Sequence, residues 1–297
     1  MRTIGVLLAI ISFLILSCEK DESDLCYSEA GFCIEIANKF VFNHRDIDYY
    51  DISSHLIYLK RSNPFLKDIN KSEIFTVYAN GIEIYSGHVE PGYSSSLYPG
   101  PLIRCQPSFY NDYIISIDFI QVYDSLGNCN PDPRVDARII EALQIFDQYH
   151  EGLKCEMSSV QYQSQNKVTV DLVLRNTDSF NYYYLDPDKM GENLFHYFTT
   201  GLHLWDSKNR KSLTHCLDVS YPEPWNTWDE DWLSLIMSDE SRRISITYNC
   251  FESVSNGNYR ASFTFPGLFH VGKSELQQNQ GRIWLGELDL VKDVTVK

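Results

Sequence analysis

The sequence lacks every short signature that would fix a catalytic chemistry. No HExxH is present: after His150-Glu151, Lys154 stands where a second histidine would be needed to share one metal ion. A GxSxG elbow, a phosphate-binding P-loop and a dinucleotide-binding glycine fingerprint are all missing. No CxxC occurs and the eight histidines show no ligand spacing, so no zinc and no other cofactor is expected. Basic residues are scarce: 25 Lys and Arg against 40 Asp and Glu leave a formal charge of −15. Nucleic acid and anionic lipid headgroups both repel such a surface, which argues against either as a partner. Internal repeats and coiled-coil heptads are absent. Long apolar runs are absent too. The one uncharged apolar stretch, Ile4 to Leu16, falls short of the ~20 residues that span a bilayer as a helix. An enzyme is still open, because triads and carboxylate pairs assemble from distant positions.

What is present begins with that stretch. Arg2 precedes it and Ile15-Leu16-Ser17-Cys18 closes it. This end resembles the lipobox of bacterial lipoproteins, where a small residue stands before a cysteine that becomes acylated. It departs from the commonest form, which carries Leu first and Ala or Ser second. The resemblance implies a signal peptide over residues 1–17, acylation of Cys18, and a membrane anchor in the cell envelope, with the outer membrane expected. A single acyl chain binds a membrane only marginally, whereas the two or three carried by such a cysteine hold durably. Residues 18–24 then form an acidic tether. Its Lys20-Asp21-Glu22 resembles a surface-export signal of lipoproteins in one Gram-negative lineage, and reads equally well as a solvated linker.

Seven cysteines remain beyond Cys18, so at least one is unpaired. An exported context permits disulfides. The expected local pairs are Cys26–Cys33, Cys105–Cys129 and Cys216–Cys250, leaving Cys155 over. Between Asp124 and Asp136, oxygen donors alternate in a way that suits Ca²⁺. The bending glycine and closing Glu of an EF-hand are missing, however, and Asx turns with a helix cap account for the same residues, so no metal site is expected.

The fold class expected is mainly β, with two β-rich domains over residues 25–152 and 153–297 and one amphipathic helix between them. Twenty Tyr and sixteen Phe favour strands. The clearest element is a hairpin: Glu73 to Ala79, then Asn80-Gly81, then Ile82 to Tyr85, because both turn residues tolerate positive φ. Tyr113 to Tyr123 reads as one strand, and Arg282 to Leu290 as another. A helix is expected from Pro133, capped by Asp132, with Val135, Ile139, Leu143 and Phe146 on its apolar face and Gly152 ending the pattern. In the second half Val168, Val170, Leu172 and Leu174 alternate along a strand. That strand, the later Leu204-Trp205-Asp206 and the late Gly257-Asn258-Tyr259 run resemble bacterial immunoglobulin-like domains. The resemblance implies an antiparallel sandwich over 153–297, although the stretches 179–200 and 215–231 exceed what a compact domain of that kind contains.

The segment Tyr221 to Trp232 gathers three of the five tryptophans, Trp225, Trp228 and Trp232, at spacings of three and four. On a helical turn they would share a face flanked by Asp229, Glu230 and Asp231. Such a face stacks on sugar rings or anchors a protein partner; equally, the tryptophans plug one end of the sandwich. The expectation is a non-catalytic envelope lipoprotein that binds a glycan or an envelope protein. An anchored hydrolase of glycans or peptides, and a structural subunit of an envelope assembly, are the alternatives.

Overall fold

A computed structural model describes residues 25–28, 30–69, 71–93, 98–105, 110–121, 130–163 and 166–296. Cys18, the tether and Cys129 lie outside the described residues. The chain is mainly β, with strands in five sheets and a few short helices.

Two sheets enclose the first core. One has six strands in the spatial order Phe40–Phe42, Phe32–Ile36, Glu73–Ala79, Ile82–Pro91, Gly100–Cys105 and Asp118–Ile120. The other orders Tyr149–His150, Ile47–Asp51, Leu56–Leu59 and Ile114–Ser116. The hairpin forms where expected: Ala79 pairs with Ile82, and Asn80 and Gly81 hold φ of 52° and 77°. Between the sheets lie Ile34, Val77, Val89, Tyr50, Ile57 and Ile115, all buried. Each large aliphatic so buried contributes on the order of 1.5–3 kcal/mol, which is why the polar loops around them stay in place.

The helix is shorter than expected. Asp132 and Pro133 open only a 3-10 turn, Pro133–Val135, and the α-helix proper is Ala137–Gln144, capped by Asp136 through the Arg138 amide. Ile139, Ala142 and Leu143 face the core, whereas Val135 is exposed and Phe146 stacks on His44 at the surface.

In the second half, Leu153–Tyr162, Val168–Asn176 and Ser241–Tyr248 make a three-stranded antiparallel sheet. Lys211–Thr214, His203–Asp206, Gly257–Phe265 and Leu288–Val296 make a four-stranded one. Val168, Val170, Leu172 and Leu174 are fully buried in one core with Leu204, Ala261, Phe263 and Leu290. The long 179–200 stretch supplies Tyr182–Leu185, which joins Leu233–Ile236 and, in parallel, Gly281–Ile283, in a further sheet. This core is not confined to the second half: Tyr49, Leu56, Tyr58, Tyr113 and Ile114 enter it from the first.

Buried polar pairs cross between the halves. Trp284 Nε1 donates to Asp51 Oδ2 at 3.0 Å, the Tyr113 hydroxyl donates to the Val271 carbonyl at 2.8 Å, and Lys273 donates to the Leu59 carbonyl. His150 Nδ1 meets Asp178 Oδ1 at 2.8 Å, and Arg282 lies over the Phe180 and Tyr49 rings. A hydrogen bond buried away from water is costly to leave unmade, so these contacts set the halves in one register.

Cys26 is joined to Cys33 and Cys216 to Cys250. Disulfides persist in oxidising compartments, which makes the folded body extracytoplasmic. The expected third pair does not involve Cys105. Its free thiol is buried in the first core and points at the Ile69 carbonyl, 3.5 Å away. Cys155 is a free, half-buried thiol that burial pushes up to about 12, so it is protonated and unreactive at neutral pH. No helix among the described residues is long and apolar enough to cross a membrane.

Candidate functional site

The tryptophan segment does not form one helical face. A turn closes from Pro224 to Thr227, with the Thr227 amide and hydroxyl both donating to the Pro224 carbonyl at 3.0 and 2.7 Å. Asp229 then caps the 3-10 turn Glu230–Trp232. This change of path separates the three indoles. Trp228 and Trp232 turn inward and pack on the second core, Trp232 edge-on to Phe198. Trp225 points out and is 62% exposed. Two of the three indoles thus pack on the core and one stands at the surface.

Residues that spacing did not bring forward complete the exposed surface. Tyr221 is 68% exposed and stands edge-to-face with Tyr197, centroids 5.5 Å apart. The Tyr197 hydroxyl donates to the Trp225 carbonyl at 3.2 Å, and the His270 ring meets the indole at 85° and 5.1 Å. Burial pushes the His270 imidazole down, so it is neutral at physiological pH. Behind these lie Phe198 and Phe269, 5.1 Å apart. Exposed aromatics thus sit on an aromatic backing that restrains them. Glu223, Asp229, Glu230 and Asp231, close to Tyr221 and Trp225 in the chain, are exposed as well. Exposed aromatic rings with carboxylates in the same segment suit a partner that presents C–H faces and hydroxyls together.

A concavity lies elsewhere. A cleft of about 720 Å³ opens where the halves meet, between residues 52–55 and 116–119 on one side and 151–155 and 287–290 on the other. Asp118 and Glu287 line it with exposed side chains; partial desolvation by the cleft walls and the like charge of Asp289 raise both carboxyls, against the Ser116 hydroxyl and the Arg104 guanidinium that hold Asp118 down. Among the described residues no group of His, Cys, Asp and Glu is arranged to hold a metal ion. Asp132 and Asp136 serve as turn and helix caps, while Asp124 and Asn128 lie outside the described residues. No protein-family model matches the chain, and no curated protein does either.

Proposed function

We propose that this chain is an envelope lipoprotein, acylated at Cys18, that binds a neutral glycan through the surface formed by Trp225 and Tyr221. The observation that carries the reading is the pair of exposed aromatic side chains braced by Tyr197 and His270. A large aromatic left in water without such bracing would be a liability; with it, the ring is held ready to stack. The surrounding carboxylates accept bonds from sugar hydroxyls and repel acidic polymers. An immunoglobulin-like frame for the second half belongs to this reading, the 215–231 insertion being the segment that presents the surface.

The binding test is retention on a glycan array. Trp225→Ala combined with Tyr221→Ala is expected to abolish retention and to leave the thermal midpoint nearly unchanged. Undiminished retention would refute the surface, and a collapsed midpoint would return both side chains to a packing role. The anchor has its own test: Cys18→Ser is expected to move the protein from the envelope fraction to the soluble one. A serine variant that still sediments with membranes contradicts acylation at that position.

A second reading, an anchored hydrolase, draws on the raised carboxyls of Asp118 and Glu287 in the cleft. A protonated carboxyl beside an ionised one is the pairing that glycoside hydrolysis uses. New reducing ends from neutral oligosaccharides, lost in Glu287→Gln, would favour it over binding alone.

A further inference from the structure

One end of the first half carries an apolar patch that the fold leaves in water. Tyr27, Ile82 and Ile145 are each more than half exposed, and Phe146 is 38% exposed beside them. Contacts around the Asn80-Gly81 turn join the four. The Tyr27 carbonyl lies so close to Gly81 that a Cβ there would stand 2.6 Å from it, and Ile82 is the next residue. The Asn80 amide donates to the Gly31 carbonyl at 2.9 Å, and its side-chain oxygen accepts the Gly31 amide at 2.8 Å. Phe146 in turn covers Gly31 with its ring, and Ile145 precedes it. Exposed apolar side chains scattered singly are ordinary, whereas a contiguous group marks a surface that meets a partner or a membrane.

The patch is held in shape. The Cys26–Cys33 disulfide ties the Leu25–Ser28 turn to the first strand. The Tyr78 hydroxyl donates to the Tyr27 hydroxyl at 3.2 Å, and the two rings meet edge to face. Charges beside the patch balance in sign: Glu83 and Asp147 against Arg45 and Lys60, all exposed. Such a rim neither draws in nor repels one sign of headgroup. Position along the chain then selects the occupant. Leu25 is seven residues after Cys18, so a bilayer holding acyl chains on Cys18 stands within about 25 Å of the patch even at full stretch.

We infer that this end of the first half seats on a zwitterionic phospholipid surface through Tyr27, Ile82, Ile145 and Phe146. The inference rests on acylation of Cys18, which brings the bilayer within reach. The aliphatic side chains and the Phe146 ring enter the acyl boundary, and the Tyr27 hydroxyl stays among the headgroups, where a ring with one polar tip is at home. Four side chains orient the body without anchoring it, because one small apolar signal binds a membrane only marginally. The Cys18→Ser chain therefore still leaves the envelope fraction.

Fluorescence quenching by phosphatidylcholine brominated on its acyl chains near the headgroup tests the seat. All five native tryptophans lie in the second half, so Tyr27→Trp and Ile82→Trp each add one reporter at the patch. Mass spectrometry of the purified chain first reads Cys18, and the chain is then reconstituted into vesicles. An indole at the headgroup–acyl boundary meets the bromines, so the added emission is expected to fall about twofold relative to plain phosphatidylcholine. Val291→Trp, at an exposed position of the second half, is expected to keep its emission. Ile82→Asp with Ile145→Asp, placed in the Tyr27→Trp chain, is expected to restore the emission while the chain stays on the vesicles. Full emission from both patch reporters on an acylated chain, equal quenching at Val291, or quenching that survives the two aspartates overturns the seat alone. A bare Cys18 thiol overturns the anchor and the seat together. A Cys18→Ser chain that sediments as a dimer, split by the same two aspartates, gives the patch to a second copy and overturns the assignment.

Discussion

Asp178→Ala is expected to lower the unfolding free energy by about 3–5 kcal/mol, the cost of removing a buried carboxylate from several hydrogen-bond partners at once. Asp178 is 4% exposed. One oxygen faces His150 Nδ1 at 2.8 Å; the other accepts the Gly152 amide at 3.0 Å and the Tyr182 hydroxyl at 2.8 Å. Removing the carboxylate leaves a buried imidazole, amide and phenol without an acceptor, each worth about 1–3 kcal/mol when stranded. The Gly152 amide is presented by a turn that only glycine fits: its φ is 66°, and a Cβ there would overlap Asp51 Oδ1 and Ser53 Oγ. Urea unfolding followed by tryptophan fluorescence measures the effect. A loss under about 1 kcal/mol would show that the pair contributes geometry but not stability.

The same carboxylate gives the fold an acid limit. Burial alone would push Asp178 up, but the His150 contact, the Gly152 amide and the Tyr182 hydroxyl outweigh it and hold the group below the usual carboxylate range. A carboxyl lowered on folding contributes stability that is complete above its unfolded value of about 3.9 and fades as pH falls toward the folded one. The gap between wild type and Asp178→Ala in urea midpoint is therefore expected to be constant at neutral pH and to narrow below about pH 4. A gap that widens on acidification would reverse the sign.

Local rules carried the elements whose partners are close in sequence. Asn80-Gly81 fixed its hairpin because only a turn with two positive φ angles fits between those strands. The alternation of Val168, Val170, Leu172 and Leu174 marked a strand with one buried face. Two runs that read as single strands are each broken. Ile114–Ser116 and Asp118–Ile120 belong to different sheets, and so do Gly281–Ile283 and Leu288–Val296. Alternating apolar residues continue across the first break, with Ile115 and Ile117 both buried, so periodicity there carries no sign that the chain changes sheets. Residues beside both breaks, Asp118 and Glu287, line the cleft. Its lining was invisible for the same reason as its breaks: it depends on which distant segments meet. Trp225 was legible as an aromatic cluster, but Tyr197 and His270, which brace it, stand tens of residues away in the chain. The anchor proposed at Cys18 is the converse: it rests on sequence alone, since Cys18 lies outside the described residues.

The junction between the halves has a second element whose loss is expected to be as large. Trp284 is 1% exposed, sits against Phe265, and gives its indole hydrogen to Asp51 across the boundary. Trp284→Ala removes the largest fully buried side chain and is expected to cost about 3–5 kcal/mol. Trp284→Phe keeps most of the apolar contact and deletes the donor, isolating the polar share at about 1–3 kcal/mol. Asp51 would retain the Ser53 amide at 2.9 Å and the Ser53 hydroxyl at 2.6 Å, which favours the lower end of that range. Differential scanning calorimetry separates two pictures of the molecule. One transition, lowered in both variants, is expected if the core shared by Tyr49, Tyr58, Tyr113 and Trp284 makes the halves cooperative. Two transitions in wild type, with only the later one moved by Trp284→Ala, would mean that the halves fold separately and merely touch. In that case the cleft between them would open on its own, without unfolding either side.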